Sequence, residues 1–514
     1  MKTLFVIVFF MSIALHGFCQ DVGIGTTSPN ASAKLDISAT NKGLLIPRMN
    51  SAQRNAIASP ALGLLVFDTD RGTVMFFDGS AWRALAFSDE NKIAPQSRSS
   101  SNPSQYAGFG TRVAISGNYA LIAAPKFSTD SLSNIGAAFV FFKSGSGWQQ
   151  QAMLRAPDAE ANDNFGGSIA ISGDYVAISS ATKKVGANAN QGKVYLFRRT
   201  GTTWVVDGTL SKSGGAAYDY FGWSVALSAN ASGGPVLSVG IPYSDAGGAD
   251  KGEVYCYQRS GNTWKFVQNI VPGDLGASDL FGTTVSMYGD YLVISAPYQD
   301  NTTYSFTDAG AAYVYVLGGG VWNFQSKLAG FVAQGQFGLS LSIYDNKIAV
   351  GAPWAITYTN TSSSVYLYKR SGATWNSIGS LYVYNFEIVP GANQISSNST
   401  STNKSISIAN LTFGMSVALD SSNLMVGASG GLDYPNGGSS YFSDNPGSVY
   451  FYKNFSGDTY TKVQTIKSDF PSGADLFGMS IGLSSGNYII ANAHAIVNSK
   501  PNAGNVYFGS IANK

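Results

Sequence analysis

The dipeptide Phe-Gly opens seven similar stretches of this 514-residue chain, at Phe109, Phe165, Phe221, Phe281, Phe337, Phe413 and Phe477. The spacings are 56, 56, 60, 56, 76 and 64 residues, so the unit is about 56 residues long, with insertions in the later copies. A repeat of this period limits the architecture more than any local signal does, because each unit must bury a face against its neighbours.

Each copy reads as four short strands, A to D. In the second copy, "NDNFGGSIAISGDYVAIS" (162–179) holds two apolar stretches hinged at Ser172-Gly173-Asp174. After a variable connection comes Gly-x-(Val/Ala)-(Tyr/Phe)-x-(Tyr/Phe), as in "GKVYLF", "GEVYCY" and "GNVYFG". A turn follows, and then Trp148, Trp204, Trp264, Trp322 or Trp375, with Tyr460 in the sixth copy. Runs of β-branched and aromatic residues between Ser-Gly-Asn, Ser-Gly-Asp and Arg-Ser-Gly turns predict antiparallel A–B and C–D hairpins. In strand A, Gly166, Ser168, Ala170 and Ser172 alternate with Phe165, Gly167, Ile169 and Ile171, which suits an innermost strand where sheets converge. One four-stranded sheet cannot bury two apolar faces, whereas seven stacked radially can. The expected fold class is all-β: a seven-bladed β-propeller of four-stranded antiparallel blades, preceded by a small β-rich N-terminal module. The alternative is a β-solenoid, whose repeats are shorter and lack paired tight hairpins.

These residues resemble the FG-GAP repeats of the integrin α-subunit propeller and its bacterial relatives. Phe-Gly opens strand A, and "AAP" at 123–125, "SAP" at 295–297 and "GAP" at 351–353 close strand B in the place of Gly-Ala-Pro. The resemblance covers 105–514 and bears on fold more than on function, since propellers host unrelated activities. It also implies calcium loops of the Asp-x-Asp-x-Asp-Gly type between strands A and B. Here those connections are "SGNY", "SGDY", "YGDY", "YDNK" and "SSGNY", and the longer "SANASGGP" (228–235) has no acidic residue. No cofactor is therefore expected; Asp300 and Asp308, in a B-to-C connection, are the weak candidates for an ion.

Ahead of the repeats, residues 1–19 have Lys2, an apolar core and small Gly17 and Cys19, the pattern of a secretory signal peptide. A lipidated Cys19 is the alternative, disfavoured by the bulk of Phe18. Residues 20–87, with "VGIGTTSP", "KLDIS" and "GLLIPRM", resemble an N-terminal module of exported Bacteroidetes surface and fibre-like proteins, which implies attachment or oligomerisation. Residues 88–104 read as a polar linker and 105–514 as the propeller. The seventh copy runs out at Lys514 before a strand D, so a strand is expected from the N-terminal side, either "GTVMFFDGSAWRALAF" around Trp82 or part of the linker.

Charged residues make up only 12% of the chain and its net charge is +2, which gives no electrostatic footprint for nucleic acid. Beyond the leader no apolar run is long enough for a transmembrane helix. After cleavage Cys256 is the lone cysteine, expected as an inert packed thiol, and His494 the lone histidine. No nucleophile-elbow, zinc or phosphate-loop motif occurs, so an enzyme is not expected, although a polysaccharide-active site built from two carboxylates stays open. Asp163, Asp219, Asp279 and Asp475 each stand two residues before a Phe and read as caps that accept backbone N–H groups. The B-to-C acids Asp130, Asp245, Asp250, Asp433 and Asp444 read mainly as solvated.

The A-to-B and C-to-D turns are tight, while the B-to-C and D-to-A loops vary in length and carry aromatics. Binding is expected on that variable face, through Tyr298, Tyr304, Trp354, Tyr358 and Tyr434, with Tyr243 and Phe306 nearby in sequence, and with a glycan or an extracellular protein as partner. The functional expectation is an exported, secreted or cell-surface binding or adhesion protein of a Gram-negative envelope. The alternatives are a secreted polysaccharide-active enzyme and a structural envelope or fibre component.

Overall fold

A computed structural model describes residues 22–84, 91–93, 108–382, 412–429, 447–467, 476–492 and 504–510, apart from residues 29, 71–72, 146, 230, 246–247, 355, 358–359, 362–363 and 457–458 within them. The leader, His494, Tyr358, Tyr434, Asp433, Asp444 and Asp475 lie outside the described residues. The chain divides into two compact units, Met1–Phe87 and Ser88–Lys514.

In the first unit a parallel pair, Val22–Ile24 with Leu35–Ile37, precedes a four-stranded sheet of Arg48–Met49, Leu65–Asp68, Thr73–Phe77 and Trp82–Ala84. A short helix, Ser51–Asn55, starts at Asn50, whose side chain and that of Gln53 cap each other's backbone N–H groups. Arg54 from this helix is buried against Asp68 at 2.5 Å.

The second unit is seven four-stranded antiparallel sheets, each in the order A-B-C-D, of the kind that form propeller blades. Strands A are Val113–Ser116, Ile169–Ser172, Ser224–Ser228, Val285–Tyr288, Ser340–Tyr344, Phe413–Leu419 and Phe477–Ser484. Strands B are Tyr119–Ala124, Tyr175–Ser180, Val236–Ile241, Tyr291–Ala296, Lys347–Ala352, Asn423–Ala428 and Asn487–Asn492. Strands C are Ala137–Ser144, Lys193–Thr200, Glu253–Ser260, Ala311–Gly318, Ser364–Ser371, Ser448–Ser456 and Asn505–Ser510. Six strands D follow in order, Gly147–Leu154, Thr203–Leu210, Thr263–Ile270, Val321–Ala329, Thr374–Tyr382 and Thr459–Lys467. The seventh is Asn91–Ile93, antiparallel to Asn505–Ser510 with Ile93 opposite Val506. Of the two candidate donors, the linker thus supplies the strand. The stretch through Trp82 is already paired inside the N-terminal sheet, Phe77 opposite Trp82.

The motif residues have distinct mechanical roles. All seven Phe rings of the Phe-Gly pairs are no more than 1% exposed. Most meet the first aromatic of strand C in their own copy, as Phe165 meets Tyr195 and Phe281 meets Tyr313, both at 5.4 Å and edge-on. The Gly that follows has a left-handed backbone, φ 103° at Gly166, and a methyl there would come within 3.1 Å of Ala123 Cβ in the preceding sheet. The small residue that opens "AAP", "SAP" or "GAP" is therefore the seat of the next copy's Phe-Gly turn.

The outer rim is tied differently. A β-bulge interrupts each C–D pair among the first six copies. In copies one, two and four the extra residue is Gln151, Asp207 or Gln325, and it receives the indole N–H of the next copy's Trp204, Trp264 or Trp375 at 2.7–3.0 Å. The recurring Trp is thus a tie between neighbouring sheets. Phe508 of the last copy stacks on Trp148 of the first at 4.6 Å, and one apolar cluster spans both copies.

Candidate binding face

The B-to-C and D-to-A connections leave the sheets at one end, where loops of adjacent copies are stitched together. The three N–H groups of Asn162, Asn164 and Phe165 donate to the carbonyls of Ser133, Asn134 and Ile135 in the preceding copy's B-to-C loop. Tyr218, Tyr220 and Phe221 repeat this on Ala189, Asn190 and Gln191, and Ser278, Leu280 and Phe281 on Ala249, Asp250 and Lys251. The alternation turns residues three and one before each of these Phe into the left-handed region, with φ of 68° at Tyr218 and 53° at Tyr220.

Between those two residues stands the conserved-in-register Asp of the repeat, and its role is the cap expected from sequence. Asp163, Asp219 and Asp279 are buried and accept the backbone N–H of Glu160, Ala216 and Gly276 at 2.6–2.8 Å. The lysine partners were not legible from sequence: Lys183 lies 2.9 Å from Asp163, and Lys212 lies 3.2 Å from Asp219 and 2.7 Å from buried Glu253. The first copy has Ala107 in place of the Asp, and there the residue corresponding to Lys183 is buried Phe127. These acids therefore serve the loop junctions and their ion pairs.

On top of the junctions lies an exposed aromatic cluster. Trp223 packs edge-on against Tyr243 at 5.0 Å and Tyr220 at 6.0 Å, Tyr220 meets Tyr243 at 5.4 Å, and Tyr218 flanks Tyr220 at 6.3 Å. Tyr218 and Trp223 remain 58% and 41% exposed, in contrast to the buried Phe221 between them. Burial, and then the nearby Tyr298 and Asp250, push the Tyr243 hydroxyl pKa upward, so this ring stays neutral and a hydrogen-bond donor at physiological pH. A second cluster stacks Tyr304 on Phe306 at 5.9 Å with Phe331 edge-on at 6.0 Å, and Tyr304 is 56% exposed.

Of the expected site residues, Tyr298 is half-buried beside Tyr243 and Tyr304 is exposed in the second cluster, while Trp354 is half-buried in the fifth copy's loop. Tyr218, Tyr220 and Trp223 were missed, although "YDYFGW" signals them by placing aromatics on both sides of a Phe-Gly whose other copies carry mostly small, polar or aliphatic residues there. Asp300 accepts the Asp308 backbone N–H at 3.0 Å, and burial followed by the Asp300 charge pushes the Asp308 carboxyl pKa up. Among the described residues no group of three or more His, Cys, Asp or Glu is placed to hold a metal ion. Cys256 is buried, and burial pushes its thiol pKa up, as an inert packed thiol requires.

The FG-GAP repeat family model matches residues 148–197, 204–257 and 264–315, each match running from a strand D Trp to the next strand C. The chain carries FG-GAP repeats. Ahead of these repeats, residues 23–101 match the phage tail like trimerisation region. No curated protein matches the chain. Among solved structures, the crystal structure of Sqt1 from Saccharomyces cerevisiae is 9% identical, with a TM-score of 0.40 over 83% of this chain and 100% of that one. No helix among the described residues is long and apolar enough to cross a membrane.

Proposed function

We propose that this FG-GAP protein is an exported, non-enzymatic binding or adhesion protein whose seven sheets form a closed seven-bladed propeller. Its variable loop face engages a glycan or an extracellular protein. The observation that carries the reading is the Tyr218, Tyr220, Trp223 and Tyr243 cluster, which keeps ring area at the surface of a junction whose Phe221 is fully buried. Closure is supported by bonds from the first copy to the last, Val113 N–H to Ser480 Oγ at 2.9 Å and Lys143 Nζ to Asn487 Oδ1 at 2.7 Å.

The N-terminal module supplies valency. Its parallel strand pair leaves Val22, Ile24, Leu35 and Ile37 exposed, and Leu44 and Leu45 are 68% and 73% exposed. Three copies burying these side chains together fit the trimerisation match, and tethered sites gain about 10²–10⁴-fold in avidity.

The test is a glycan array together with immobilised extracellular proteins, probed with the full chain and with Trp223→Ala. A stacking aromatic is worth about 1–2 kcal/mol when a ligand is desolvated against it, so a weakening of about 5- to 30-fold is expected with an unchanged melting temperature. Equal binding by both proteins to every captured ligand would refute the site.

A further inference from the structure

We propose that the loop-face mouth enclosed by the seven A strands holds an anion subsite centred on Arg112, and that the ligand of the aromatic cluster is an acidic saccharide whose carboxylate this guanidinium receives. The inference rests on the closed-propeller binding reading above and adds the ligand's charge and class.

The position three residues after each Phe is a hydroxyl in six copies: Ser168, Ser224, Thr284, Ser340, Ser416 and Ser480. Each hydroxyl laces its strand A to the next. Ser168 and Ser480 accept the N–H of Val225 and Val113 at 3.1 and 2.9 Å, and Ser224, Thr284, Ser340 and Ser416 donate to Gly282, Leu339, Gly414 and Gly478 carbonyls at 2.6–2.9 Å. The first copy alone has Arg112 there. It gives up the lacing bond, and among the described residues its side chain's one hydrogen bond runs from Nη1 to the carbonyl of adjacent Thr111 at 3.0 Å. No carboxylate pairs with it among the described residues. A repeat that breaks its own structural rule at one position, with no local compensation, marks that position for something other than folding.

Accessibility and electrostatics agree with a recess. Arg112 is exposed by surface area, yet the surrounding protein is dense enough for burial to push its pKa down from the usual arginine value. A side chain lining a narrow, water-filled opening has both properties, and it stays cationic there. The next copy keeps the passage open: Gly167 has no side chain, and even a methyl on it would meet nothing closer than 3.8 Å. One copy further, the position of Gly167 is taken by exposed Trp223. A fork for a carboxylate at the first A strand and a ring for a pyranose face at the third thus stand on either side of the open Gly167 position of the second. Asp250 near Tyr243 provides an acceptor for sugar hydroxyls and opposes densely charged polyanions.

The experiment measures calorimetric binding of the full chain to a panel of uronate oligosaccharides of different linkage, each paired with its carboxyl-reduced form, and to an oligoglutamate. Arg112→Ser restores the residue type of the other copies, so its melting temperature should not fall. At least one uronate should bind about tenfold or more tighter than its reduced form, and this preference should vanish in Arg112→Ser and shrink with added salt. Trp223→Ala should weaken both forms. Uronate binding unchanged in Arg112→Ser, or a wild-type protein indifferent to the carboxylate, overturns the subsite and leaves the aromatic reading standing. A preference for oligoglutamate overturns the saccharide class, and loss of Trp223-dependent binding to every ligand class would remove the underlying reading as well.

Discussion

Replacing Gly504 by Ala tests whether the ring of sheets is closed. The glycine that opens strand C, at Gly136, Gly192, Gly252, Gly310 and Gly504, lies against the backbone of the next copy's Phe, and a methyl would fall onto that Phe's carbonyl oxygen, well inside van der Waals contact. For Gly504 the Phe is Phe109, the first of the series. Gly261, in a C-to-D turn, has a similar left-handed φ of 61° but nothing within 4 Å of an added methyl. The left-handed backbone costs a non-glycine residue about 1–2 kcal/mol. Forcing a methyl into closely packed backbone adds about 1–3 kcal/mol more. Gly261→Ala should therefore lose only the first amount, and Gly252→Ala, inside the unbroken run of sheets, should lose the sum, about 2–5 kcal/mol. If the last sheet packs on the first in solution, Gly504→Ala should match Gly252→Ala in differential scanning calorimetry, about 1–3 °C below Gly261→Ala for a unit of this size. A Gly504→Ala protein that melts with Gly261→Ala would mean that the Gly504–Phe109 contact contributes nothing, and the closure argument would fail.

Other expectations concern the rim, the N-terminal module and metal. Asp207 receives Arg259 at 2.7 and 2.9 Å and the Trp264 indole at 2.8 Å; burial pulls its pKa up, but these bonds together with Arg198 outweigh it and hold the carboxyl below the usual range. A depressed pKa makes its stabilisation complete above the unfolded value of about 3.9 and lost as pH falls through the folded value. Asp207→Asn should thus cost about 3 kcal/mol at neutral pH and lose part of its disadvantage in acid; melting curves that stay parallel from neutral pH to strong acid would contradict this. Leu44→Asp with Leu45→Asp should convert a trimer to monomers in light scattering, with the FG-GAP unit's melting unchanged, whereas an unaltered mass would exclude these residues from the seam. A chelator should change neither melting nor binding; a drop in melting temperature would show that Asp300 and Asp308 hold an ion.

Much of the site was legible only in outline. The variable face follows from loop lengths, and Tyr298 and Tyr304 are on it, but loop length does not say which rings stay exposed. Phe221 and Trp223 are two residues apart in "YFGW", and one is fully buried while the other is 41% exposed, because the left-handed glycine between them turns the chain at a sheet junction. Lys183 and Lys212 carry no local signal either: Lys183 is buried against an Asp from another loop, and half-buried Lys212 meets, besides Asp219 of its own loop, Glu253 at the start of the third copy's strand C.

The repeat period, the strand order within each copy and the tight turns were determined by the sequence alone, because β-propensity, glycine turns and alternation act over a few residues. The cap role of Asp163, Asp219 and Asp279 was equally local, a carboxylate three residues from the N–H it accepts. Only the tertiary structure decided the rest. Asn91–Ile93 is too short to announce itself as a strand, and it is one because Asn505–Ser510 presents an unpaired edge more than 400 residues away in sequence. Val113 finds Ser480 across 367 residues for the same reason: backbone groups and apolar faces left open at the two ends of a repeat array are satisfied by each other, a condition set by the whole array and written in no single copy.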